Sequence, residues 1–465
     1  MIEYDSIKKA MGVDIAISPK MAQAMYKWQH MYVNEAPWLN KEVKSLNLPA
    51  AICTEMARLV TMESSVTING SARADLIAES MQPFLNQLQN YTEYACSVGG
   101  IVFKPYISGG KIAIDVTQAG SFYPVTFDSA NDITAVVFPE FKQSGKNLYV
   151  RLEYQAFDGD TYTIINKAFV SKKMIVRMDE IINLGQEISL EDVDEWADIE
   201  PFVQFRNATT PLFSYFRMPM ANNTDPLSPL GVSVFSRAVD LIRDADEQYG
   251  ATLWEYRSKE TAIQAADEFY QKDRKGHIIL PAGNKRLYRA LGPGVSDKDG
   301  APFFNVYSPE IRDQSFFNGY NRIVQKIEFN SGLAYGTLSD PQTVDKTAEE
   351  IISSKQRSYG TVKAIQNSLA HAIEKLVDAI DAWMTIADVA PAGNVQVSSD
   401  WDDSLIVDKK REIEQLRADL SAGIVGRVEY RMKRFNETRE QAIKMLREAD
   451  EYDLEKENFD DNDEL

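Results

Sequence analysis

His371 and Glu374 stand three residues apart in "HAIEKLVDAI", a spacing that sets two potential metal ligands on one face of a helix. A metal centre needs a second half, and the other two histidines, His30 and His277, lie far away in sequence. The pair reads first as a solvated or interfacial histidine. The carboxylates of "SDWDDSLIVD" (Asp400, Asp402, Asp403 and Asp408) would suit the two metals of a nuclease, although acidic helix caps and exposed loops produce such groups routinely. "SGLAYGT" superficially resembles a phosphate loop. A P-loop has four residues between its glycines and then Lys and Ser or Thr; here Gly332 and Gly336 enclose three and no lysine follows. Nothing has the form of a nucleophile elbow or a zinc hairpin. Cys53 and Cys96 lie inside apolar helical patterns and fit a reducing compartment better than a disulfide. No catalytic residue, metal or cofactor is expected.

The elements that would have to position such groups carry more information. At 465 residues and 52.5 kDa the chain is too long for one ordinary core, so two to four domains or sub-domains are expected. With 44% hydrophobic and 26% charged residues it matches a soluble globular protein. No apolar run approaches the ~18 residues of a membrane span, and the opening "MIEYDSIKKAMGVDIAIS" lacks the apolar stretch of a signal peptide. A cytoplasm-like setting follows. The net charge of -19 argues against a protein that grips nucleic acid over most of its surface, but not against one that DNA slides past. Part of that charge is the terminal "EADEYDLEKENFDDNDEL", ten acids and one lysine, expected to be a solvated tail.

Residues 1–98 read as helices, ended by Gly99 and Gly100. Short alternating runs follow, from "IVFKPYI" to "TYTIINKAFV", and imply an antiparallel meander of five or more strands at about 99–170. The second half consists mostly of long helices. One carries a stripe through Phe235, Val239, Ile242, Ala245, Tyr249, Leu253 and Tyr256. Another starts at Ser308 and Pro309 and stripes through Phe317, Tyr320, Val324 and Ile327. Between them lies a small lobe rich in glycine and proline, about 263–307, where "QKDRKGHIILPAGNKRLYR" sets Lys272, Arg274, Lys275, Lys285, Arg286 and Arg289 against Asp273 alone. A capping box at Thr347–Glu350 opens a helix of about 40 residues, striped through Ile351, Tyr359, Val362, Leu369, Ile373, Leu376, Ile380 and Trp383. Gly360 is a candidate kink. Shorter helices end at Gly423 and begin at Thr438.

This order of parts is similar to that of tailed-bacteriophage portal proteins, more narrowly those of siphophages infecting Gram-positive bacteria. "NTDPLSPLGVSVFSRAVDLIRDADEQYGATLWEY" resembles the segment entering a portal stem, "IEFNSGLAYGTLSDPQTVDKTAEEI" the tunnel loop and the start of the long helix, and "LSAGIVGRVEYRMKRFNETREQAIKMLREA" the helical end. The resemblance implies an α+β, portal-like fold. Residues 1–228 would form a helical and antiparallel-β wing, 229–262 and 308–330 the stem helices, and 263–307 a small α/β clip. The tunnel loop would be 331–345, the long wing helix 346–390, and 391–465 a helical crown with the acidic tail.

The function implied is a homo-oligomeric ring of about twelve subunits at one capsid vertex. Double-stranded DNA would enter and leave through it without sequence specificity. The large terminase subunit, capsid and scaffold proteins, and head-completion or tail proteins would be partners, in the virion and, during assembly, in the host cytoplasm. Gly332, Leu333, Tyr335, Leu338 and Asp340 would belong to the channel loop. Such a loop should be mobile and should not hold phosphates, and Ser331–Val344 contains no Lys or Arg. The basic cluster from Lys272 to Arg289 is the candidate terminase contact. A helical adaptor or scaffold without a channel, and a metal-dependent hydrolase in the acidic clusters, are the alternatives.

Overall fold

The computed structural model describes residues 2–447 except 63, 110, 173–181, 280–286, 341–347, 402–408, 436–438 and 440. It divides into two compact units, Met1–Trp401 and Asp402–Leu465.

The first unit opens with α1 (Tyr4–Met11), α2 (Pro19–Tyr32) and α3 (Leu48–Thr61). Ser18 caps α2, its hydroxyl accepting from Met21 N, with Pro19 at the first turn. Strand β1 (Ser64–Asn69) follows, then α4 (Ala72–Leu85) and α5 (Leu88–Val98). Helix α5 stops at Gly99, where φ is +94° and a Cβ would fall 2.5 Å from the Gly231 carbonyl oxygen; only glycine fits.

The expected meander is two sheets rather than one. Strands β2 (Gly100–Ser108) and β3 (Lys111–Gln118) form a hairpin. The six-strand antiparallel sheet holds β4 (Tyr123–Phe127), β5 (Ile133–Ser144), β6 (Asn147–Asp158), β7 (Thr161–Ser171), β8 (Gln186–Ile188) and β9 (Phe202–Arg206), and β10 (Ser214–Arg217) joins β2 in the smaller sheet. The break falls between β3 and β4, and β10 pairs with the outer edge of β2, an edge that the hairpin alone would leave open. Tyr123, Leu148, Val150 and Leu152 make the core beneath the large sheet, closed by Ile2 and Ile7 from the N terminus.

Helix α6 (Val239–Ser258) leads into a lobe of short strands: β11 (Ala262–Ala265), β12 (Gln271–Lys272), β13 (Ile278–Ile279), β14 (Tyr288–Ala290) and β15 (Phe304–Tyr307). Its described residues contain 3-10 turns, at Asp267–Phe269 and at Leu287, and no α-helix, so among them the expected α/β character is corrected to β. Helix α7 (Asp313–Ser331) starts later than the Ser308–Pro309 signal implied, because β15 and the segment after it occupy that stretch.

Helix α8 (Ala348–Ile386) is the long helix, 39 residues running unbroken through Gly360. Val362, Leu369, Ile373, Leu376 and Ile380 of the expected stripe are buried. At its C-terminal end Arg73 of α4, itself buried, bonds the Asp381 carboxylate and donates to the Ala390 carbonyl at 2.8 Å. The chain then forms β16 (Gln396–Trp401), which pairs antiparallel with β1 from the other end of the sequence. The second unit contains α9 (Lys409–Ser421), followed by Gly423 at φ +71°, and α10 (Arg427–Phe435). The Thr438 start lies outside the described residues, as does Thr347.

Candidate functional site

The segment between α7 and α8 is held by atoms of α7 itself. Gly332 ends the helix at φ +77°, and Leu333 N donates to the Glu328 carbonyl at 2.9 Å, the αL termination that glycine permits. The chain then doubles back. Glu328 is 0% exposed, and its carboxylate accepts from Leu338 N at 2.6 Å, Ser339 N at 2.8 Å, Ser339 Oγ at 2.8 Å and Gly336 N at 3.3 Å. Two turns earlier on the helix, Asn321 Oδ1 accepts from Asp340 N at 2.9 Å. Opposite, Arg357 of α8 stacks its guanidinium on Phe329, 4.3 Å from the ring centre, and on Tyr335, at 5.3 Å.

Of the residues expected here, Leu333 is fully buried, Gly332, Tyr335 and Leu338 are half-buried, and Asp340 is exposed. The described part, through Asp340, is a hydrogen-bonded turn; 341–345 lie outside the described residues. Glu328, Asn321 and Arg357 escaped the sequence reading. The available signal was that Glu328 follows Ile327 on the stripe through Val324, placing a carboxylate where an apolar residue is usual.

Helices α6 and α7 bury several polar side chains beside the apolar Ile242, Ala245, Val324 and Ile327, and leave large aromatics exposed. Their buried residues include Asp246, Glu255, Asn321, Gln325 and Glu328, whereas Trp254 is 68% exposed and Phe317 52%. Of the stripe expected on α7, Val324 and Ile327 are buried and Tyr320 is half-buried, whereas Phe317 is exposed and its neighbour Phe316 is half-buried in its stead. Glu255 takes both Arg312 nitrogens, Nε and Nη2, at 3.0 Å, and Lys259 at 2.8 Å. The Arg312 guanidinium, helped by Lys259, pulls the Glu255 carboxyl down to about 2.

In the β lobe, β11 lies between β14, parallel, and β15, antiparallel. Lys272 ends β12, and Arg274 and Lys275 occupy the turn before β13, which Asp273 shapes by accepting from Lys275 N and His277 N at 2.8 Å each. Arg289 sits on β14. These four cations are exposed; Lys285 and Arg286 lie outside the described residues. All four residues of the edge strand β15 are also exposed, Phe304 at 55%.

The groups that suggested chemistry are occupied with structure. His371 Nε2 lies 3.0 Å from Asp132 Oδ2 rather than forming a site with Glu374. Cys53 and Cys96 are buried free thiols, both pushed up by burial. Asp400 lies on β16 opposite Ser65; Asp402, Asp403 and Asp408 are outside the described residues. A crevice of about 690 Å³ between the two sheets holds a buried carboxylate, Glu153. Burial pushes that carboxyl up, but Lys104 at 2.6 Å and Arg151 at 3.2 Å outweigh it and hold it low. Such a saturated ion-pair cluster has no free base to offer a substrate. Among the described residues no three His, Cys, Asp or Glu side chains group to hold a metal, and no helix is long and apolar enough to cross a membrane.

Comparison with known proteins identifies one family: residues 42–457 match the model described as phage portal protein, SPP1 Gp6-like. No curated protein matches the sequence.

Proposed function

Since the chain belongs to the SPP1 Gp6-like family of phage portal proteins, we propose how its parts serve the ring that such proteins form. The family is structural, not enzymatic. A portal is a component of the virion capsid, an oligomeric ring that associates with capsid and terminase and through which DNA passes. In the finer reading the ring has about twelve subunits. Helices α6 and α7 are its stem, the β lobe at 263–307 its clip, 331–345 its tunnel loop, α8 the long wing helix and 391–465 the crown. The exposed Lys272, Arg274, Lys275 and Arg289 are the terminase contact, with Lys285 and Arg286 from the same cluster. Exposed acids on α6, Asp240, Asp244 and Glu247, would disfavour sticking of the DNA backbone wherever they face the lumen.

The observation that carries this reading is the pair of large aromatics, Trp254 and Phe317, that the helix pair leaves exposed. A monomer gains nothing by exposing Trp254 and Phe317 while burying Glu255 and Gln325; a subunit flanked by copies of itself covers those aromatics laterally. The reading is tested by native mass spectrometry with class averages viewed down the particle axis. Wild-type protein should give rings with a central hole wide enough for a duplex. Trp254→Glu, at a site whose exposure makes the change cost the monomer less than about 0.5 kcal/mol, should leave the melting temperature unchanged and abolish the rings. A closed dimer without a hole would sink the reading in favour of an adaptor.

A further inference from the structure

The turn after α7 lies along the helix it has just left. Asn321 and Glu328 are seven residues apart, about 10 Å along the axis, and both accept backbone N–H groups from the returning chain: Asp340 at the far point, then Ser339, Leu338 and Gly336 nearer the helix end. Each carboxylate oxygen of Glu328 is used twice. Oε1 takes Leu338 N and Ser339 N, and Oε2 takes Ser339 Oγ and Gly336 N. Burying a carboxylate at 0% exposure is costly unless its lone pairs are met. Here three main-chain amides and the Ser339 hydroxyl meet them, so Glu328 holds the turn at more points than any other side chain, alongside Asn321 and the turn's own Ser339 and Thr337, which bond Gly336 N at 3.1 Å and the Ala334 carbonyl at 2.6 Å.

We propose that Glu328 is the positioning residue of the channel loop: it fixes the stretch from Leu333 to Asp340 against α7 and so sets the direction in which the loop leaves the stem. What the loop does rests on the portal reading; the capture of the turn does not. A load applied to the loop passes through the Glu328 bonds into α7. The other end of that helix is also held by a carboxylate, Glu255 of α6, there through an ion pair with the Arg312 guanidinium.

The test compares three variants as assembled rings. Glu328→Ala removes the acceptor. Glu328→Gln keeps an oxygen for Leu338 and Ser339 and can turn its amide toward Ser339 Oγ. Val324→Ala makes a cavity at a buried site of the same helix that takes no part in the turn's hydrogen bonds. Hydrogen exchange read by mass spectrometry should speed up in the 333–340 peptide about tenfold or more in Glu328→Ala. In Glu328→Gln it should stay within about threefold of wild type, and in Val324→Ala the 333–340 peptide should not change. In complementation of a portal-deficient phage, Glu328→Ala should lower the yield of DNA-filled heads about tenfold at equal ring yield, with Val324→Ala close to wild type. Unchanged exchange at 333–340 in Glu328→Ala overturns the proposal, as does an equal packaging loss in Val324→Ala, which would mark the effect as general destabilisation. If Glu328→Ala does not assemble, Glu328→Gln combined with Ser339→Ala replaces it, leaving the glutamine amide without its acceptor, and the same exchange increase is expected. If wild-type rings package no DNA the portal reading fails, and exchange alone still decides whether Glu328 holds the turn.

Discussion

At Gly332 two demands meet in one residue. The backbone sits at φ +77°, and a Cβ there would lie 2.7 Å from Thr361 Oγ1 and 2.8 Å from its Cγ2 on α8. Gly332→Ala should therefore destabilise the first unit by about 1–3 kcal/mol, measured by denaturant unfolding. The crowding comes from a side chain, so Thr361→Ala in the same molecule should return part of that loss, a coupling of at least about 0.5 kcal/mol in a double-mutant cycle. The sequence placed this glycine in the channel loop just past the second stem helix, without marking it as that helix's stop. Glu328 was not legible in the sequence, because composition treats glutamate as a surface residue, and its burial follows only from amides that arrive eight to eleven positions later. Leu333, which the sequence groups with the channel loop, is already fully buried within the single chain, a placement that its setting among glycines and serines did not announce.

Among the elements, the α6–α7 pair has a built-in acid limit. Arg312 and Lys259 hold the Glu255 carboxyl at about 2, well below its unfolded value. A depressed carboxyl contributes stability above its unfolded pKa and loses it as pH falls toward the folded one. Exchange protection of α6 and α7 should thus be constant down to about pH 5 and fall between about pH 4 and 2. Arg312→Gln should remove most of that dependence, since it removes the first of Glu255's partners. Element types came through from periodicity where the runs were long: α8 occupies nearly the span that its stripe and capping box announced. Short elements were hidden. "SSVTIN", read as part of a helical region, is β1, six residues whose pairing partner lies at the far end of the first unit. The start of α7 slipped for a related reason, because a good cap and proline at 308–309 cannot signal that the chain there still belongs to the lobe. The four exposed cations of that lobe were visible as a cluster in composition, and the turn that displays two of them depends on Asp273, the lone acid.

For the molecule as a whole, the boundary at Trp401 makes a sharp statement about truncation. A chain ending at Trp401 keeps β16, and it should unfold cooperatively with a melting temperature near that of the full chain. One ending at Pro391 loses β16 and the Asn394 carbonyl that Ser71 Oγ bonds at 2.8 Å, and it uncovers Ile68. It should melt several degrees lower, on the order of 2 kcal/mol, by calorimetry. The same pairing bears on the order of events in the cell. Strand β1 is made early, yet the residues that cover its edge emerge about 330 positions later, tens of seconds at ordinary ribosome speeds. Throughout that interval the nascent subunit carries an open strand edge, while Trp254 and Phe317 are already synthesised before the chain is complete. On a polysome crowded with identical chains, safe production therefore calls for closure of this seam to outpace encounter between neighbours, which makes the rate of translation itself a quality control on the assembled particle.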